Sequence, residues 1–185
     1  MSSPVPASSI PMADYVARSM SYADYRALID RLIAEGRTTG PNQSEALADF
    51  TRLNCQRMKR LDLTVMVEKA LVGAMQRLAH DWVWLTLTEA WCGDAAQAIP
   101  VIDKIAALSP RVRARYLLRD EHPALMDRYL TNGTRSIPKL LCLDAKTLED
   151  QWTWGPRPAP AMALFRERAA QGEPKSAILE EVQRW

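Results

Sequence analysis

The stretch Trp82-Val83-Trp84-Leu85-Thr86-Leu87-Thr88-Glu89-Ala90-Trp91-Cys92-Gly93-Asp94-Ala95 marks a change of texture in the chain. Its first seven residues are aromatic, β-branched or aliphatic and carry no charge, which predicts a buried central strand. A helix is expected from about Asp94 to Leu108, so Cys92 falls where a buried strand turns into a helix. The first turn of a helix leaves backbone N–H groups unpaired and carries the positive end of the dipole, and both favour a thiolate. Position alone makes Cys92 the candidate nucleophile. The plainer alternative is a small buried hydrophobe, which is what a free cysteine often is.

Downstream, strands are expected at Val112 to Leu118, Pro138 to Leu143 and Asp150 to Trp154. Helices are expected at Pro123 to Leu130, Pro158 to Ala170 and Ser176 to Arg184. Upstream, everything reads as helix. Ser21 and Asp24 form a capping-box pattern ahead of Tyr25, Leu28, Ile29, Leu32 and Ile33. Asn42 and Glu45 open a second helix carrying Leu47, Phe50, Leu53, Asn54 and Met58. A third, from about Thr64 to His80, has Val67, Ala70, Leu71, Ala74, Met75 and Leu78 at helical spacing. Residues 1–12, rich in Ser, Pro and Ala, are expected to be disordered. Strand–helix–strand alternation followed by two closely spaced strands argues an α/β fold, a mixed sheet of about four strands with helices on both faces. Arg111 to Tyr116 alternates charged with smaller or apolar residues. That is either a basic stripe for an anionic ligand or an edge strand on which arginines block further pairing.

The chain has 185 residues, with 24 Lys+Arg against 22 Asp+Glu and three cysteines. This near-neutral balance gives no global reason to expect nucleic acid or an anionic membrane as partner. Three cysteines are too few for a disulfide scaffold. No apolar run is long enough for a transmembrane helix, and Met1 to Met12 lacks the pattern of a secretory signal, so the expected compartment is the cytoplasm. His80 and His122 stand far apart and no cysteine pair has metal-ligand spacing, so no metal is expected. With neither a Gly-rich phosphate loop nor a dinucleotide fingerprint, no cofactor is expected.

Trp91-Cys92-Gly93-Asp94-Ala95 resembles the Trp-Cys-Gly-Pro-Cys site of the thioredoxin family. Three further matches follow in order. Pro100 stands eight residues after the cysteine, where the family kinks its active-site helix. Ser136-Ile137-Pro138-Lys139-Leu140-Leu141 is similar to the family's cis-proline segment. Trp154-Gly155 follows the last strand, where the family has a groove-lining glycine. The resemblance spans about Thr64 to Ala170. It implies a thioredoxin-like domain over 64–185, preceded by a helical extension over 13–63. It also implies a substrate groove in which the backbone at Ile137, beside Pro138, pairs with an extended peptide between Trp91 and Trp154.

The departures bear on mechanism. A dithiol cycle needs a second sulfur to resolve the mixed disulfide, and Ala95 stands there. The buried aspartate that the family places six residues before the first cysteine is Thr86 here. Asp94 replaces the family's proline, as a helix-start carboxylate or as a group that raises the pKa of the neighbouring thiol. Cys142 is expected to be packing, and the role of Cys55 is open. One reading is a protein that forms mixed disulfides through Cys92 alone with protein or low-molecular-weight thiols. Another is a non-enzymatic peptide-binding module that uses the groove. A third makes the N-terminal helices a dimer face or a lid.

Overall fold

A computed structural model describes residues 10–184. The expectation of disorder over residues 1–12 falls mainly outside these residues, and Met12 itself is the first residue of a helix. In chain order the elements are α1 Met12–Arg18, α2 Tyr22–Ala34, α3 Glu45–Thr64, α4 Lys69–Gln76, β1 Trp82–Thr88, α5 Gly93–Ala106, β2 Val112–Leu118, α6 Pro123–Met126, β3 Lys139–Asp144, β4 Asp150–Trp154, α7 Ala159–Ala170 and α8 Lys175–Arg184.

The sheet order is β2-β1-β3-β4. β1 runs parallel to β2, with Leu85 opposite Arg115, and antiparallel to β3, with Leu85 opposite Leu141. The uncharged β1 is therefore paired on both sides, as its composition predicts. Its side chains alternate between two faces. Val83, Leu85 and Leu87 meet Leu117, Leu141 and Leu143 under α1 and α6. Trp82 and Trp84 point the other way, toward Ile102 of α5 and Leu140 and Cys142 of β3. Burying the six aliphatic side chains of the first face stabilises the fold by roughly 1.5–3 kcal/mol each before entropy is counted.

β2 is an edge strand. The link between α1 and α2 closes its middle: Met20 and Tyr116 exchange two backbone hydrogen bonds of 2.8 and 2.9 Å. Arg115 Nε donates to Ser19 Oγ at 3.0 Å, and Arg111 pairs with Asp81. Arg115, within the strand, and Arg111, just before it, are thus each tied to a neighbouring group, while Arg113 is exposed.

Two helical expectations need correction. α3 begins after Ser44, whose side chain accepts from the Leu47 N–H, so the cap is Ser44 rather than Asn42. Its buried face is Ala48, Thr51, Asn54, Cys55 and Met58, while Phe50 and Leu53 are exposed. The helix expected from Thr64 to His80 shrinks to Lys69–Gln76, with only Met75 buried. Lys104 Nζ takes the Asp62 and Val65 carbonyls at the end of α3, ending that helix and leaving Val65–Glu68 as a non-helical link. Lysine at a helix C-terminus satisfies the orphan carbonyls that would otherwise invite continuation.

Candidate functional site

Cys92 is the N-cap of α5, in extended conformation, and Pro100 lies within that helix. The Ile137–Pro138 peptide bond is cis, and the Cys92 thiol donates to the Ile137 carbonyl at 3.4 Å. Cys92, Ile137 and Pro138 therefore meet although 45 residues separate the sulfur from its acceptor in sequence. Gly155 backs the same proline so closely that a Cβ on it would stand 2.1 Å from the Pro138 oxygen. Ala95 is 1 % exposed, facing inward beside Tyr25, Ile99 and Tyr116. Thr86 is buried under α5, and its hydroxyl has no hydrogen-bond partner.

The electrostatics of Cys92 run against what its position alone suggests. Burial, foremost, and the Asp94 carboxylate push the thiol up to about 11; the N–H groups of Ala95 and Asp94 and the Arg119 cation pull the other way and lose. Desolvation disfavours the charged form whatever the helix dipole offers. Asp94 is itself held in a two-pronged ion pair with Arg157, at 2.6 and 2.9 Å. Arg157 lies over the Phe165 ring at 4.6 Å. The residue that replaces the family's proline thus fastens the start of α5 to the loop that follows the groove glycine. Arg157 was not legible from the sequence, where it is one cation among many.

The other side of the site is built by the N-terminal region. Asn54 Nδ2 donates to the Ala90 carbonyl at 2.9 Å, and the Ala90 N–H donates to Thr39 Oγ1 at 2.9 Å. Arg119 sits over the Trp91 ring at 5.0 Å and pairs with Asp120. Trp91 therefore has a cation on one face, and Trp154 stands on the far side of the proline loop near α5. Cys55 is buried in the cluster that also packs against Cys92, with its thiol toward Asp30 at 3.4 Å. Cys142 is 1 % exposed, packed with Leu140 and Ile102 of α5, and all three cysteines are free.

Glu89, three residues before Cys92, is fully buried. Its Oε1 accepts from the Asp120 N–H at 2.8 Å, while Oε2 has no partner. Burial raises its pKa from 4.5 to about 7, against the pull of the Thr39 hydroxyl and the Asp120 N–H. A carboxyl that holds its proton more tightly when folded stabilises the fold fully at low pH and loses that contribution as pH rises toward 7. The wild-type protein should therefore lose up to about 3 kcal/mol through this group between pH 4.5 and 7. Urea melts at pH 5 and 8 check it: Glu89→Gln should lessen the loss, and an unchanged pH dependence would refute the assignment. A charge inside an apolar stretch was the signal in the sequence that could have flagged Glu89.

Among the described residues, no group of three or more His, Cys, Asp or Glu side chains could hold a metal ion. No helix among them is long and apolar enough to cross a membrane.

The solved structures that resemble this chain share its fold. A protein of unknown function from Pseudomonas aeruginosa superposes with a TM-score of 0.61 at 16% identity, covering 95% of this chain and 96% of its own. An HIV epitope-scaffold superposes with a TM-score of 0.53 at 18% identity, covering 89% of this chain and 96% of its own. No curated protein matches the sequence. A thioredoxin family model matches residues 40–171, starting well ahead of Thr64 and taking in α3, which supplies Asn54 to the site. With the cysteine at a helix start, the cis-proline beside it and the family match over most of its length, this chain belongs to the thioredoxin family.

Proposed function

We propose that this protein is a single-cysteine thiol–disulfide exchange protein. The observation that carries the reading is the Cys92 sulfur 3.4 Å from the Ile137 carbonyl, beside the cis-proline, so that the nucleophile adjoins a backbone edge able to pair with an extended peptide. The Cys92 thiolate attacks one sulfur of a disulfide R–S–S–R′. A Cys92–S–S–R bond forms and R′–S⁻ leaves, taking up the proton that Cys92 lost. Ala95 offers no second sulfur, so an external thiol must attack Cys92–S–S–R, releasing Cys92 and carrying R away in a new disulfide. Such a cycle suits a reducing compartment such as the cytoplasm, where low-molecular-weight thiols are abundant.

Oxidised glutathione tests it. Intact mass should show one glutathione adduct on the wild type, removable by excess thiol, and none on Cys92→Ser. An adduct on Cys55 or Cys142 instead, or none at pH 9, would refute the reading.

The raised thiol pKa favours a second reading, a peptide-binding module in which Cys92 serves as a neutral wall of the groove. Under that reading Cys92→Ser binds extended peptides as well as the wild type does. Under the first, covalent capture of a cysteine-containing peptide is lost.

A further inference from the structure

Helices α7 and α8 form a small apolar cluster of their own, Ala161, Ile178 and Val182 with Leu164 and Phe165, separate from the cores on either face of the sheet. Between this pair and α5 lies an open pocket of about 540 Å³. Protein interiors pack densely and leave few voids larger than a water molecule, so a concavity of this size is a feature of the surface rather than a packing defect. Its volume falls within the range of small-molecule sites, roughly 300–1,000 Å³.

Most of the lining is apolar. Ala98, Val101, Ile102 and Ile105 come from α5, Trp154 from the end of β4 and Val182 from α8. Ala98 keeps the wall recessed where a larger side chain would fill the space. Three charged side chains line it. Asp94 and Arg157 neutralise each other in their two-pronged pair. Arg60, exposed near the end of α3, pairs with no carboxylate among the described residues. Among the described residues, Arg60 is therefore a positive charge of the lining with no carboxylate partner, beside an apolar trough.

We propose that this pocket binds an amphipathic carboxylate, a medium-chain fatty acid, with its chain against Val101, Ile102, Ile105 and Trp154 and its carboxylate on the Arg60 guanidinium. Guanidinium offers a planar fork that matches a carboxylate, and the chain gains by leaving water. The Cys92 sulfur is not among its lining residues, although the pocket shares Asp94 and Arg157 with the surroundings of that thiol.

Isothermal titration calorimetry of the full chain with dodecanoate, below its micellar concentration, tests the proposal. Dodecanoate should bind with a Kd of about 10 μM or tighter. Dodecanol, with the same chain and no charge, should bind at least about tenfold more weakly. Arg60→Glu, on the exposed rim where folding is not at stake, should weaken dodecanoate about tenfold or more, and Arg60→Lys should largely retain it. Ala98→Trp should abolish binding while the melting temperature of the variant is checked. No heat with dodecanoate, equal affinity for the alcohol, or indifference to Arg60→Glu overturns the proposal. So does binding of an apolar peptide to this pocket under conditions where dodecanoate gives no heat.

Discussion

Alkylation of Cys92 by iodoacetamide should accelerate close to tenfold per pH unit between pH 7 and 10, about a thousandfold in all, with no plateau near pH 8. The thiolate is the reacting species, and a thiol held at about 11 is only about one part in ten thousand ionised at pH 7. An ordinary cysteine would level off a little above pH 8.5. The cause can be dissected. Asp94→Asn removes the carboxylate that opposes ionisation and releases Arg157 from its pair, so reactivity at pH 7 should rise severalfold. Arg157→Ala leaves Asp94 uncompensated and should lower it further. The ion pair is largely shielded, with side chains 12 and 15 % exposed, so added salt should alter these differences little. Peptide mass mapping assigns the reaction to Cys92 rather than to the buried Cys55 and Cys142. A plateau near pH 8 in the wild type, or no change in Asp94→Asn, would show that burial and Asp94 do not govern this thiol. The outcome also separates the two functional readings. A thiol that ionises only at high pH is slow on its own and needs a bound disulfide partner to lower its barrier.

Much of the fold was legible because its strands are bounded by strong local signals. β2 and β4 start and stop where Pro110 and the turns near Asp150 and Gly155 place them. β1 is read from an uncharged run that only a strand paired on both sides would tolerate. The helical layer was harder. The apolar period from Val67 to Leu78 is real, yet only Met75 of α4 is buried, and the break before it falls where Lys104, on a helix that follows β1, takes the Asp62 and Val65 carbonyls. Nothing local encodes that contact. The site divides in the same way. Cys92, Pro138 and Gly155 were found because a family resemblance ties distant positions together. Asn54, Thr39 and Arg157 lie 36, 51 and 63 residues from the groups they bind, and polar residues of such common types carry no mark of it. Two opposing influences on the Cys92 thiol stand in the sequence, the helix dipole and the Asp94 carboxylate. Both are local to the strand-to-helix junction, but the desolvation that decides the outcome depends on how Ile137 and the Tyr25–Ile29 face of α2 pack around the sulfur.

Gly155→Ala should be far more damaging than alanine at the other positive-φ glycines, costing more than about 3 kcal/mol and leaving much of the protein unfolded at 37 °C. Two effects act together. The backbone of Gly155 has φ +121, a conformation that side chains with a Cβ rarely adopt. A Cβ there would also lie 2.1 Å from the Pro138 oxygen, a contact that real Cβ atoms do not make. Neither partner can yield cheaply. Pro138 leads into β3, whose Leu140 pairs with Trp154 one residue before Gly155, so the two backbones are locked by the sheet on that side. On the other, Arg157 is held by Asp94. Gly133→Ala is the control. It also has positive φ, +73, but open space around the added methyl, so it isolates the conformational part at about 1 kcal/mol. Urea denaturation of both variants checks the difference, and proteolytic resistance serves if Gly155→Ala is too unstable to titrate. Equal costs would mean that β4 and the proline loop do not approach as closely as described. A much larger cost at Gly155 shows that the absence of a side chain there lets the groove wall close against the cis-proline beside Cys92.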